Sequence, residues 1–359
     1  MLTDTHDETY MLRAISLAEQ GRQTTAPNPW VGCVVVAPNG EVVAEGFHVR
    51  KGGPHAERVA LANLPSPAPQ NCCMYVTLEP CCHVGSTSPC ADALIASSNT
   101  ISRVVVALLD PDSKVSGKGI ARIRAAGMEV VVGVCEGPAR DSLRPYLFQR
   151  TYGRPYVVGK LGMSVNGVIS SSGERWITSE QSREEGMHIR RSSQAIIVGV
   201  NTVLHDNPML TQRSANQSVL FYRVVIDPKF KLQTLAESTD LNILTDSSTP
   251  TLIFGLEAHH TPSSTLPHVE YVLLDTIDLS TILTQLAERG VLQVLVEGGA
   301  TTISKFIEEE LVNELTLFVA PVVMRGLNFF NSIGPKRFLL KSAAPVIGRG
   351  DIRIDYFKA

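Results

Sequence analysis

An excess of either charge is missing from this sequence: 32 Lys and Arg face 35 Asp and Glu, a net charge of −3. No basic field therefore draws the chain to DNA or RNA, and no nucleic-acid partner is expected. Long apolar runs are absent too, and none approaches the roughly 20 residues of a membrane span. The opening MLTDTHDETYMLRAISLAEQGRQ is acidic and then helical in period. It lacks the basic-then-apolar order of a signal peptide, so a cytoplasmic protein is expected, with no membrane partner. Cysteine disappears after Cys135, although seven occur up to that point. An odd number without a secretion signal argues against a disulfide framework. A cluster confined to one end points to metal or a reactive thiol, and its confinement is a first sign of two domains. Finally, no G-x-G-x-x-G follows a strand anywhere in residues 151–359, which leaves a Rossmann domain little support.

What is present is an ordinary globular composition, 44 % apolar and 19 % charged over 359 residues, enough for two cores. After a helix from Asp7 to about Gln20, WVGCVVVAPNGEVVAEGFH reads as two strands around a turn at Pro38-Asn39-Gly40. A helix from about His55 to Leu64 and a Pro-rich loop follow. Strands CMYVTLE, RVVVALLD and EVVVGV then alternate with helices CADALIAS and IARIRAAG, and a last helix runs to about Arg150. The pattern restarts near TYGRPY with strand YVVGKLGMS, a helix near Glu180–Arg191 and strand AIIVGV. Strands FYRVVID, TLIFG, YVLLD and LQVLVEG come next, separated by polar connections. Residues 211–218 and 245–268, rich in Ser, Thr and Pro, read as loops. A helix TTISKFIEEEL and strands ELTLFVAPVVM and DIRIDYF close the chain. The expected class is α/β, with ligands at strand ends, in two domains, 1–150 and 151–359.

His55, Cys81 and Cys90 supply the three ligand types of a catalytic zinc that keeps one position open for water. Pro80-Cys81 follows strand MYVTLE, where a helix is expected to begin; a helix N-terminus favours thiolate, as does the metal. Zinc lowers the pKa of a bound water towards about 7, so a hydroxide nucleophile exists at neutral pH. Glu57 would carry the proton from that water to a leaving amine. His55 and Glu57, two apart, meet at one site only above the first turn of their helix, and Pro54 suits such a start. His55-Ala56-Glu57 matches the first half of the zinc-deaminase signature H-x-E followed by P-C-x-x-C, whereas eight residues separate Cys81 from Cys90. Cys82 and His83 are read as turned away, and Cys33, Cys72, Cys73 and Cys135 as core. A structural zinc would need a fourth ligand, for which Cys82 or His83 is available. In the second half, LQVLVEGGATTISKF places Gly298-Gly299 between a strand and a helix. Backbone N–H groups there, with Thr301 and Thr302, can cradle phosphates, although such turns also carry glycine for geometry alone.

These residues resemble the bifunctional riboflavin-biosynthesis deaminase–reductase family over nearly the whole chain. TTAPNPWVGCVVV, PHAE, YVTLEPCCHVGSTSPCADALI and LLDPDSKVSGKGI resemble its deaminase half, including the long Cys81–Cys90 spacing. KLGMSVNGVIS, GERWITS, VGVNTVLHDNPMLTQR and VEGGATTISKF resemble its reductase half. The resemblance implies a cytidine-deaminase-like α/β/α domain and a dihydrofolate-reductase-like α/β domain. It implies one zinc per chain on His55, Cys81 and Cys90, with Glu57 as the catalytic proton shuttle. Asn28, in the PNP turn, is implied as a substrate contact, though a turn-forming Asn between two prolines reads equally well. NADPH is the implied reductase cofactor, lined by Gly299, Ala300, Thr301, Thr302, Ile303, Ser304 and Lys305 and met by Trp176, Thr202 and Asp206. Arg190, Leu210, Arg213 and Glu297 would contact substrate, the two arginines suiting a phosphate. Lys160, a lysine inside an apolar strand, is the candidate catalytic group of the reductase, expected to open the sugar ring or stabilise charge. Pro228 stands where the family often has serine. The implied reactions are deamination of 2,5-diamino-6-(5-phosphoribosylamino)pyrimidin-4-one and NADPH-dependent reduction of its ribosyl group to ribityl. The partner is thus a small phosphorylated pyrimidine, and homo-oligomers through the reductase half are expected. The rivals are a zinc deaminase of another nucleotide, nucleobase or tRNA with a different reductase, and a non-catalytic binder with structural zinc.

Overall fold

The computed structural model describes residues 5–83, 88–173, 176–213, 219–235, 240–260, 266–346, 348 and 350–358. The loop readings of 214–218 and 261–265 lie outside them. The chain divides into two compact units, Met1–Gly153 and Arg154–Ala359.

The first unit runs α1 (Thr5–Glu19), β1 (Gly32–Val36), β2 (Val42–Phe47), α2 (Ala56–Ala62), β3 (Cys72–Val76), α3 (Cys90–Ala96), β4 (Ile101–Val106), α4 (Lys118–Ala125), β5 (Glu129–Val132) and α5 (Glu136–Tyr152). Its sheet has the order β2-β1-β3-β4-β5, with β1 antiparallel to both neighbours and β3, β4 and β5 parallel. The central strand β1, GCVVV, is buried along its whole length, which is why it reads as an uninterrupted apolar run. Cys33 and Cys72 are core residues. Cys135, by contrast, does not end a strand: β5 stops at Val132, and Cys135 sits half-buried in a left-handed conformation before α5.

Asp7 ties α1 to this sheet. Its Oδ1 accepts from Tyr75 Oη at 2.7 Å and Arg103 at 2.9 Å, and its Oδ2 accepts from Arg103 at 2.8 Å. The hydrogen-bonded Arg103 guanidinium outweighs burial and holds the Asp7 carboxyl below the ordinary range. A depressed folded pKa contributes stability above the unfolded value of about 3.9 and loses it as pH falls through the folded one. Asp7→Asn is therefore expected to cost about 1–3 kcal/mol at pH 7. Urea unfolding along a descending pH series should show the gap from wild type narrowing below about pH 4.

The second unit runs β6 (Tyr156–Ser164), β7 (Val168–Ser170), α6 (Glu180–Arg191), β8 (Ala195–Gly199), α7 (Val200–Asp206), β9 (Tyr222–Ile226), α8 (Lys231–Leu235), α9 (Asn242–Thr245), β10 (Thr251–Leu256), β11 (Val269–Leu274), α10 (Leu279–Glu288), β12 (Gln293–Val296), α11 (Ala300–Glu308), β13 (Glu314–Ala320), β14 (Leu327–Asn328), β15 (Phe338–Pro345) and β16 (Ile352–Lys358). Its large sheet has the order β11-β10-β9-β8-β12-β6-β13-β16-β15, parallel except for β16, which runs antiparallel to both β13 and β15. Strands β8, β9, β10 and β11 succeed one another outward, while β12 lies on the other side of β8. The crevice at the carboxyl ends of β8 and β12 is thus a topological switch point, where α/β sheets bind ligands. β10 forms where the strand TLIFG was expected, within a stretch otherwise read as loop. The expected polar connection before β12 contains α10, which buries Leu279, Ile282, Leu283 and Leu286 on one stripe and is capped by the Asp278 carboxylate.

Candidate active sites

In the first unit, His55 stands at the N-cap of α2 with extended backbone, so its ring leaves the helix while Glu57 occupies the buried first turn. This is how two residues two positions apart reach one site. His55 Nδ1 lies 3.5 Å from Cys81 Sγ and 3.4 Å from Cys90 Sγ. The three ligand atoms fall within 4.8 Å of one another. Tetrahedral zinc with Zn–S near 2.3 Å and Zn–N near 2.05 Å needs N···S separations of about 3.6 Å, so these residues fit that ion. One expectation is corrected. Among the described residues no helix begins at Cys81; the helix starts at Cys90, as the run CADALIAS indicated, and the Cys90 N–H donates to Cys81 Sγ at 3.3 Å. That N–H, the Cys90 thiol and His55 together favour the Cys81 thiolate and push its pKa down, while sharing a proton pushes Cys90 up. Burial raises the Glu57 carboxyl. Cys82 turns its thiol towards the Lys114 carbonyl, 3.6 Å away. His83 borders the cavity without joining the three-residue group.

A cavity of about 250 Å³ opens beside this group, and Asn28 and Glu57 line it. Asn28 sits in the expected turn, its N–H donating to Thr25 O at 2.9 Å, and its side chain lies 3.2 Å from His48 Nε2. His48 is buried, which lowers its pKa, and its Nδ1 lies 3.0 Å from Pro54 O. With Nδ1–H donating there, neutral His48 accepts from the Asn28 amide.

Six ionisable cavity residues were not singled out from the sequence: His48, Glu79, Asp110, Asp112, Tyr146 and Arg150. The signal for three of them lay in TLEPCC and LLDPDSKVSGKGI, strand ends rich in acids. Glu79 is buried and its carboxylate accepts four backbone N–H groups, from Gly117 (2.8 Å), Gly119 (3.0 Å), Ile120 (3.2 Å) and Asp110 (3.3 Å). It thereby fixes the 110–120 loop against the residue next to Pro80-Cys81. At Gly119 a Cβ would stand 2.0 Å from Pro80 O, so only glycine allows this approach. Nothing local marked Tyr146 and Arg150, which reach the cavity from α5.

In the second unit, β6 and β12 bring Lys160 and Glu297 together, and α6 adds Arg190. Lys160 Nζ lies 3.3 Å from Glu297 Oε1, and Arg190 donates to Oε2 at 2.6 Å. Burial alone would raise Glu297, but the two cations hold its carboxyl below the ordinary range. Arg190 also reaches Thr211 O at 3.3 Å. Beyond it, Leu210 and Arg213 both adopt left-handed backbone; Leu210 is buried and Arg213 exposed.

At the switch point, Gly299 N–H donates to Thr202 Oγ1 at 3.3 Å, joining the starts of α7 and α11. Gly298 has φ +113°, and a Cβ there would stand 2.8 Å from the Thr202 hydroxyl. This is a backbone cradle of the kind a phosphate fills. Thr301 and Thr302 remain accessible above it, and Asp206 lies exposed at the far end of α7. Ile303 and Ser304 face inward and are buried, so their side chains do not line the cradle; Lys305 is exposed a turn further on. Trp176 is 56 % exposed and lies beneath the Arg183 guanidinium, whose carbon is 4.6 Å from the ring centroid.

Comparison with known proteins covers both halves. The family model for the cytidine and deoxycytidylate deaminase zinc-binding region matches residues 4–108, and that for the RibD C-terminal domain matches residues 155–341. Riboflavin biosynthesis protein RibD of Chlamydia pneumoniae is 40 % identical over 357 residues, covering 94 % of this chain and 90 % of that protein. Its Escherichia coli (strain K12) counterpart is 36 % identical, with 89 % and 90 % covered. The crystal structure of a diaminohydroxyphosphoribosylaminopyrimidine deaminase/5-amino-6-(5-phosphoribosylamino)uracil reductase from Thermotoga maritima matches with TM-score 0.88 at 32 % identity, covering 99 % of both chains.

Proposed function

The chain belongs to the RibD family of bifunctional riboflavin-biosynthesis enzymes, a deaminase joined to a reductase, and from that premise we propose that its two units act in turn on one phosphorylated pyrimidine. Residues 1–150 form the deaminase domain, cytidine-deaminase-like in fold, and residues 151–359 the reductase domain. The first removes the 2-amino group of 2,5-diamino-6-(5-phosphoribosylamino)pyrimidin-4-one with water, releasing ammonia. The second reduces the ribosyl group of that product to ribityl. The match across both halves sets aside a deaminase fused to an unrelated reductase.

The observation that carries the first assignment is a buried Glu57 beside the His55, Cys81 and Cys90 group. These three residues would hold one zinc per chain. Zinc, when bound, supplies the Lewis acidity that makes water a usable nucleophile near neutral pH. Glu57 takes up the proton at its carboxylate and returns it to the departing amine; its burial, by raising its pKa, brings proton affinity closer to what both transfers need. Asn28, fixed by His48, presents its amide to the pyrimidine.

For the second assignment, NADPH supplies the reducing equivalent when bound. The Gly298–Thr302 turn with Thr202 fits its phosphates, and Lys305, Asp206 and Trp176 border it more loosely. Lys160 Nζ donates a proton towards the ribosyl oxygen, aimed by its ion pair with Glu297, whose other oxygen Arg190 holds. Arg190, Leu210, Arg213 and Glu297 form the substrate side.

No described helix is long and apolar enough to cross a membrane. The seven free cysteines suit a reducing, cytoplasmic setting. Edge strand β15 exposes Leu339 and Leu340 at 59 % and 64 %, which supports self-association through the reductase half, readable as the mass in light scattering.

The functional test is incubation with the diamino substrate, with and without NADPH, followed by mass spectrometry. The deaminated ribosyl compound should form without NADPH and the deaminated ribityl compound with it. No product from zinc-replete protein would overturn the substrate assignment.

A further inference from the structure

We infer that Arg150 is the residue that reads the phosphate of the deaminase substrate. This rests on the reading above that the cavity takes a phosphorylated pyrimidine. The cavity is poor in cations: Arg150 is the sole Lys or Arg among its described lining residues, against Glu57, Glu79, Asp110 and Asp112. Residues 84–87, Val-Gly-Ser-Thr, add no basic side chain either. A phosphate entering beside those carboxylates needs a fixed positive charge.

The guanidinium is held in advance. Its carbon lies 5.0 Å from the Tyr146 ring centroid, NH1 donates to Gln149 Oε1 at 2.7 Å, and NH2 donates to Pro27 O at 3.2 Å. Among the described residues only the Asp112 carboxylate, at ion-pair distance, and the Tyr146 side chain approach the remaining donors. Nε is buried without a hydrogen-bond partner, and Asp112 Oδ2, at 4.0 Å, stands beyond hydrogen-bond range. Asp110, the other acid nearby, is already occupied: Tyr146 Oη donates to both its oxygens at 3.1 and 3.2 Å, and Asp112 N–H donates at 2.9 Å. Five N–H groups in a rigid fork, two of them used, leave a set suited to bidentate contact with phosphate oxygens. The Pro27 contact also links this fork to the neighbouring Asn28, so base and phosphate recognition share one wall.

The test compares wild type, Arg150→Ala and Arg150→Lys on the phosphorylated substrate and on its dephosphorylated form. Arg150→Ala should lower kcat/KM about 10- to 100-fold on the phosphorylated compound and leave the dephosphorylated one unchanged. Arg150→Lys should fall between, retaining charge without the fork. Equal losses on both compounds would show that Arg150 only supports the Pro27 turn, and no loss on the phosphorylated one would overturn the inference as directly. Ribose 5-phosphate binding by calorimetry separates this from failure of the functional reading. Even if wild type turned over neither compound, binding lost in Arg150→Ala would uphold the assignment, and equal or absent binding would end it.

Discussion

Replacing Glu57 by glutamine is expected to slow deamination by about 10²- to 10⁴-fold, the range lost when a positioned acid–base group is removed. Zinc content and the reductase reaction should stay at wild-type levels. The amide matches the carboxylate in shape, so the buried first turn of α2 keeps its packing. What it cannot do is accept a proton. Stability should not suffer, because burial already disfavours the charged carboxylate, and a neutral amide removes that cost. Steady-state deamination, metal analysis and thermal melting together check this result. Near-normal turnover would mean that another group moves the proton.

The second large effect falls on Lys160. Lys160→Ala should lower ribosyl reduction about 10²- to 10⁴-fold while NADPH affinity, measured by fluorescence titration, changes little. Lys160 sits on β6, whereas the phosphate cradle is built from the ends of β8 and β12. Removal of the ammonium also leaves Glu297 with Arg190 as its one remaining cation at this site. The Glu297 carboxyl should then titrate higher, since one of the two charges holding it down is gone. A proportional loss of cofactor binding and turnover would instead make Lys160 a cofactor contact.

Much of this was legible because the elements that carry the sites have strong periodicity. β6 and α6 appear where the apolar alternation and the helical stripe placed them, and His55, Cys81 and Cys90 converge as their spacing allowed. What escaped has physical reasons. The stripe of α10 is interrupted by Ser and Thr, whose polarity mimics a loop, although Leu279, Ile282, Leu283 and Leu286 keep helical spacing. The helix CADALIAS begins at Cys90 as expected, whereas the helix start read at Cys81 is absent among the described residues. Glu79 acts through backbone N–H groups that no residue type announces. Tyr146 and Arg150 reach the deaminase cavity from a helix far along the chain, a relation set by tertiary folding alone. In the cofactor turn, family likeness covered a continuous run, but helical geometry turns Ile303 and Ser304 inward.

The central claim is that one chain holds two separate sites used in a fixed order. The most direct measurement follows products by mass spectrometry for Glu57→Gln alone, Lys160→Ala alone and the two mixed, all with NADPH. Glu57→Gln should leave the diamino substrate unconverted, Lys160→Ala should accumulate the deaminated ribosyl compound, and the mixture should restore the deaminated ribityl product. Reduction by Glu57→Gln without prior deamination, or no intermediate from Lys160→Ala, would contradict the account.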